Sequence, residues 1–139
     1  MVTIQVALIV LFSFISILHW LWAFGMKWLL LDAVPFDENG KPLFVPTFLP
    51  CAIVAMAFAG MAMYYVILLR PEMIQLPQGI TEVLGWLIPS IFLIRAIGEF
   101  KYVGFFKKVK STDFGKRDTR FFSPLCVLTS ILGYFSMLF

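Results

Sequence analysis

Charge is scarce in this chain. Asp, Glu, Lys and Arg supply 14% of its 139 residues, against about 25% in an average soluble domain. The hydrophobic share is 61%, against about 45–50%. Such a chain cannot cover its apolar side chains with its own polar surface, which excludes a soluble enzyme and a disordered segment. Histidine occurs once and cysteine twice. One histidine cannot complete a haem pair, and no Cys–His spacing suits zinc, so no metal and no cofactor are expected. Two cysteines without a Cys-x-x-Cys motif exclude a disulfide scaffold and read as small packing residues. Phosphate-binding glycine loops, a Gly-x-Ser-x-Gly elbow and a carboxylate pair placed for acid–base work are all missing. No Lys or Arg precedes Lys27, and the first apolar run is too long for a signal peptide, so it reads as a retained helix.

Long uncharged runs are what the sequence has instead. Met1–Met26, Pro42–Leu69 and Phe121–Phe139 carry no formal charge. A membrane helix needs about 20 apolar residues. A further run, Val83–Ile94, reaches that length only by taking in Arg95 and Glu99. The expectation is an all-α membrane protein: one four-transmembrane-helix bundle over residues 1–139, with spans at about 2–26, 49–69, 80–100 and 121–139. Small or polar stripes at helical spacing mark the inward faces, because lipid tails give no hydrophobic drive for helix association. They are Gln5, Ser16, His19 and Ala23, then Ala52, Ala55, Ala59 and Ala62, and finally Cys126, Thr129, Gly133 and Ser136.

Four crossings put the 27–48 and 101–120 connections on one side. That side holds every Lys and Arg outside the spans except Arg70. Basic residues accumulate on the cytoplasmic face, so both termini are expected outside and both long connections inside. The net charge of +3 then needs no nucleic acid. Lys107, Lys108 and Lys110, beside Phe105 and Phe106, read either as a topology signal or as interfacial contacts to anionic lipid. Between spans one and two, Asn39-Gly40 suits the centre of a tight turn, so this connection is expected to form a short hairpin-like cytoplasmic loop.

Arg95 is the residue most in need of explanation. A charge at mid-membrane costs about 2.5–3.5 kcal/mol on insertion scales. Snorkelling to the headgroups is the bland account. Glu99, four residues on, offers a same-face partner, which makes the pair either structural glue or part of a site. His19 is more ordinarily a packing residue, although it can titrate near neutral pH. Trp22 beside it belongs either to an interfacial aromatic belt or to a ligand wall. Asp118 is expected just before the last span, with Ser123 as its N-cap and Pro124 in its first turn. His19, Trp22, Arg95, Glu99, Tyr102 and Asp118 would then meet at one level near the cytoplasmic end.

Several short segments are distinctive together. They are His19-Trp20-Leu21-Trp22-Ala23-Phe24-Gly25, Val34-Pro35 and Gly40-Lys41-Pro42-Leu43-Phe44, then the run from Arg95 to Phe106, Asp118-Thr119-Arg120 and Ser123-Pro124-Leu125-Cys126. In these the chain resembles the DUF3995 family of small bacterial membrane proteins, over nearly its whole length. The resemblance implies four spans and a bacterial plasma membrane, and brings no activity with it.

Three functions fit this architecture. One is a site for a lipid or other amphiphilic small molecule, with Arg95 holding its anionic or carbonyl group, Glu99 and Asp118 orienting it, and His19 moving a proton. Another is an accessory subunit of a larger membrane complex. The last is a small oligomeric transporter, which the placement of Arg95 and Glu99 near one edge disfavours. Membrane lipids are the expected surroundings in each case.

Overall fold

The computed structural model describes residues 1–139. Four helices are long and apolar enough to cross a membrane. Helix α1 covers Val2–Ala23, α3 covers Phe48–Leu69 and α4 covers Gln78–Ile97. The fourth starts at α5 (Asp113–Arg117), passes through a widened turn at Asp118–Phe122 and continues as α6 (Ser123–Leu138). A short helix, α2 (Leu30–Ala33), lies in the first connection. There are no strands.

Apolar side chains face outward here, as a lipid solvent allows. On α1, Val6, Val10, Phe14 and Ile17 are exposed, while Leu8, Phe12 and Ser16 are buried. The helices associate mainly as two pairs, α1 with α3 and α4 with α6. In the first pair, buried Ser16 donates to the Ala55 carbonyl at 2.7 Å. Ala52, Ala55 and Ala62 of the expected stripe are buried, whereas Ala59 faces outward. In the second pair, a Cβ added to Gly133 would lie 2.8 Å from the Cβ of buried Pro89, so a glycine makes room for the proline ring. Ser90 and Tyr134 share a hydroxyl–hydroxyl bond of 2.7 Å across the same pair.

Aromatic packing joins the two pairs. Leu8, Phe12, Ala62, Tyr64, Tyr65, Ile88 and Phe92 form the core. Phe12 of α1 stacks on Phe92 of α4 at 5.3 Å between centroids. The Tyr64 hydroxyl of α3 donates to the Thr81 carbonyl of α4 at 2.9 Å.

The first connection makes a single antiparallel bridge, Phe36 to Pro42. Asp37 N–H donates to the Lys41 carbonyl at 2.8 Å, and Gly40 sits at φ +76° in the turn. Asp37 Oδ1 also accepts the N–H groups of Asn39 and Lys41 at 2.9 and 2.8 Å. Leu43 N–H donates to the Pro35 carbonyl at 2.9 Å, but Pro35 has no N–H to return the bond, so the pairing goes no further.

Two sequence expectations are corrected at the far end of α4 and the near end of α6. The third span does not run to residue 100: α4 stops at Ile97, and Gly98 at φ +87° turns the chain away. The fourth helix does not start at Ser123: Thr112 caps it, accepting Gly115 N–H at 3.0 Å. Pro124 is therefore inside a continuous helix. Proline has no N–H, and its ring crowds the carbonyl four residues back, here Arg120. The widened turn takes up that crowding, with Ser123 N–H bonding five residues back to the Asp118 carbonyl.

Candidate functional site

The 98–112 connection folds back on the end of α4 and is held there by backbone contacts. Phe105 N–H donates to the Ala96 carbonyl at 2.8 Å. Gly98 and Gly104 meet face to face, both at positive φ. A Cβ on Gly98 would lie 1.8 Å from the Val103 carbonyl oxygen, and one on Gly104 would lie 2.4 Å from that of Ile97. Only glycine fits either position.

That return brings Gly104 and Lys107 onto the widened turn of the last helix. The Asp118 carboxylate sits at the meeting point with its side chain fully buried. Its Oδ1 accepts from Arg95 Nη2 at 2.9 Å. Its Oδ2 accepts from Gly104 N–H at 2.8 Å, Lys107 Nζ at 3.0 Å and Ser123 Oγ at 3.2 Å. Lys107 Nζ further donates to the Gly104 carbonyl at 2.9 Å and to Thr119 Oγ1. Every proton of that ammonium has a partner, and so do both carboxylate oxygens. A buried charge is tolerable only under such conditions.

Arg95 differs from the other two. Its side chain is 34% exposed, yet its Nη1 is buried and has no hydrogen-bond partner. Two cations and one carboxylate leave the cluster one positive charge in excess.

Several site expectations are corrected here. Arg95 pairs with Asp118 and not with Glu99. The i, i+4 relation lapses because α4 ends before Glu99, whose carboxylate instead accepts the N–H of Tyr102. Tyr102 lies in the connection, with Lys101 Nζ over its ring at 5.0 Å. His19 joins neither group: its Nδ1–H donates to the Ile15 carbonyl at 2.8 Å, and its ring packs on Trp22 and Phe58. Trp22 is buried and donates to the Trp28 carbonyl at 2.7 Å, fastening the start of the first connection. Lys107 is not an interfacial contact, because its side chain is fully enclosed against Asp118. Lys108 and Lys110 are exposed. Of the six expected site residues, only Arg95 and Asp118 are brought together. Sequence reasoning missed Gly104, Lys107 and Ser123 as partners of Asp118, and Thr119 as a partner of Lys107. The paired glycines at 98 and 104 were the available sign that this connection closes tightly.

Both long connections lie at the same end of the bundle, since Arg117 of α5 forms an ion pair with Asp32 of α2. Beside that pair is an open cleft of about 540 Å3, lined by Asp32, Asp37, Glu38, Asp113 and Arg117 among others. No group of three or more His, Cys, Asp or Glu side chains converges as metal ligands would.

Comparison with curated proteins and with solved structures returns no match. Residues 12–133 match the family model described as "Protein of unknown function (DUF3995)". That stretch covers most of the chain and includes the whole Arg95–Lys107–Asp118 cluster, so the chain belongs to the DUF3995 family.

Proposed function

We propose that this chain is a multi-pass protein of a bacterial plasma membrane that binds the anionic head of an amphiphilic molecule at Arg95. The observation that carries this reading is the partnerless Nη1 of Arg95 in a cluster with one positive charge to spare. An unpaired guanidinium nitrogen away from water calls for an acceptor. A carboxylate or phosphate meets that need in the planar geometry guanidinium favours. The exposed third of the Arg95 side chain is the side of approach, and a small rotation of the guanidinium turns Nη1 toward the arriving group. Asp118 cannot orient the ligand, because protein donors already occupy both its oxygens. Its part is to hold Arg95 in place. The basic residues of the two long connections support an orientation with that end of the bundle in the cytoplasm and both termini outside.

Arg95→Lys tests the reading. Lysine keeps a cation beside Asp118 and loses the second nitrogen. Native mass spectrometry of the gently extracted protein should show a small-molecule or lipid adduct that Arg95→Lys lacks, at unchanged melting temperature. Equal adducts in both proteins, or a co-purifying protein subunit and no adduct, would refute it. The second of those results would make the chain an accessory subunit.

A further inference from the structure

The outer side of the 98–110 connection remains after the Asp118 cluster is accounted for. Residues alternate there. Lys107 and Val109 point inward and are buried, while Phe106, Lys108 and Lys110 point outward and are exposed. Phe106 meets Phe100 across the fold of the chain, with ring centroids 6.5 Å apart. The two rings are 64% and 58% exposed. Phe100 stands at φ +69°, a conformation that costs free energy in any residue with a Cβ. The backbone thus accepts strain while carrying an apolar ring outward. Lys108 and Val109 N–H groups both bond to the Lys101 carbonyl, at 3.1 and 2.8 Å, which makes Lys101 and Lys108 neighbours. Two exposed rings and three exposed lysines therefore share one rigid patch. It begins three residues past the end of a membrane-spanning helix, where a helix of that length would reach the headgroups.

We propose that this patch binds the anionic lipid surface, with Phe100 and Phe106 at the acyl boundary and Lys101, Lys108 and Lys110 on the phosphates. Aromatic rings that enter the interface beside lysines that reach the headgroups are the usual chemistry of such contact. Charge complementarity selects lipid over an apolar protein partner. The buried Lys107–Asp118 pair gives the patch its rigidity, because it pins the inner side of the same connection. This surface is separate from the Arg95 site.

The full chain in nanodiscs of phosphatidylcholine mixed with phosphatidylglycerol provides the test. Lipids that stay with the extracted protein are counted by mass spectrometry. The wild type should be enriched in phosphatidylglycerol, and the Lys101→Gln/Lys108→Gln/Lys110→Gln variant should lose about fivefold of that preference per lysine removed. High salt should do the same to the wild type. All three positions are exposed, so the melting temperature should not move. A single adduct at Arg95 should survive the triple change, which separates failure here from failure at Arg95. Unchanged enrichment in the variant would reduce the lysines to a topology signal and overturn the proposal. No enrichment in the wild type, or a protein partner covering the patch, would also overturn it. Phe106→Trp adds a check on depth. Its added emission should be quenched by lipids brominated near the headgroup, and an unquenched tryptophan would refute insertion.

Discussion

Asp118→Asn is the perturbation that best probes the cluster. The substitution keeps the shape of the side chain and removes its charge. Lys107 would then be a fully enclosed ammonium with neutral acceptors only and no counter-charge. Breaking a buried ion pair from one side costs about 3–5 kcal/mol. The Arg95 pair adds less, about 0–1 kcal/mol, because that side chain is partly solvated and exposed pairs are weak. The expected destabilisation is therefore about 3–5 kcal/mol, set by Lys107 and not by Arg95. Reversible unfolding in mixed micelles, followed by circular dichroism, measures it. The reciprocal change, Lys107→Met, should cost less. Asp118 would still accept from Arg95, Gly104 N–H and Ser123, and no buried cation would be stranded. Combining the two changes should show a coupling of about 1–3 kcal/mol. A loss within about 0.5 kcal/mol for Asp118→Asn, the range of an ordinary surface change, would refute the reasoning. So would zero coupling to Lys107.

Further outcomes follow from the glycines. Gly98→Ala and Gly104→Ala should each release the 98–112 connection, since their Cβ atoms would strike backbone at 1.8 and 2.4 Å. Protease sensitivity at Lys101 and Lys108 reports this, and unchanged resistance would contradict the close contact. Gly133→Ala should destabilise more than Gly60→Ala. The first meets the rigid Pro89 ring at 2.8 Å, while nothing lies within 4 Å of the second. Melting temperatures in one detergent decide the order, and the reverse order would refute it. Thr112→Ala should cost about 1 kcal/mol, the worth of a lost N-cap, and no change in melting would argue against capping there.

The sequence disclosed the transmembrane architecture well and the cluster poorly. Uncharged runs are long-range features, so the four spans needed only length and hydropathy. Small residues such as Ser16, Ala55 and Gly133 stood at helical spacing, and the packing faces could be read from them. Helical periodicity carried past Ile97 into Glu99 and Tyr102 points Arg95 at the wrong partner. Gly98 ends that periodicity, and its positive φ depends on a contact with Gly104 that no local pattern encodes. Pro124 normally opens a helix, which by pattern leaves Asp118 outside the last one. A widened turn that admits proline within a helix depends on its surroundings as well as on composition. Lys107 looked like its neighbours Lys108 and Lys110. Only the alternation of the folded connection sends it inward and them outward.

The widened turn also has a bearing on how the protein is made. A ribosome delivers Arg95 and Lys107 before Asp118, and Asp118 before the apolar residues of α6. Until Asp118 emerges, the end of α4 carries a cation with no counterpart, and Lys107 has no carboxylate to meet. Arrival of the last helix therefore completes two things at once, the fourth crossing and the neutralisation of the third. A nascent chain halted before residue 118 should keep an unsettled α4 and be open to membrane quality control, whereas one that has inserted α6 is committed.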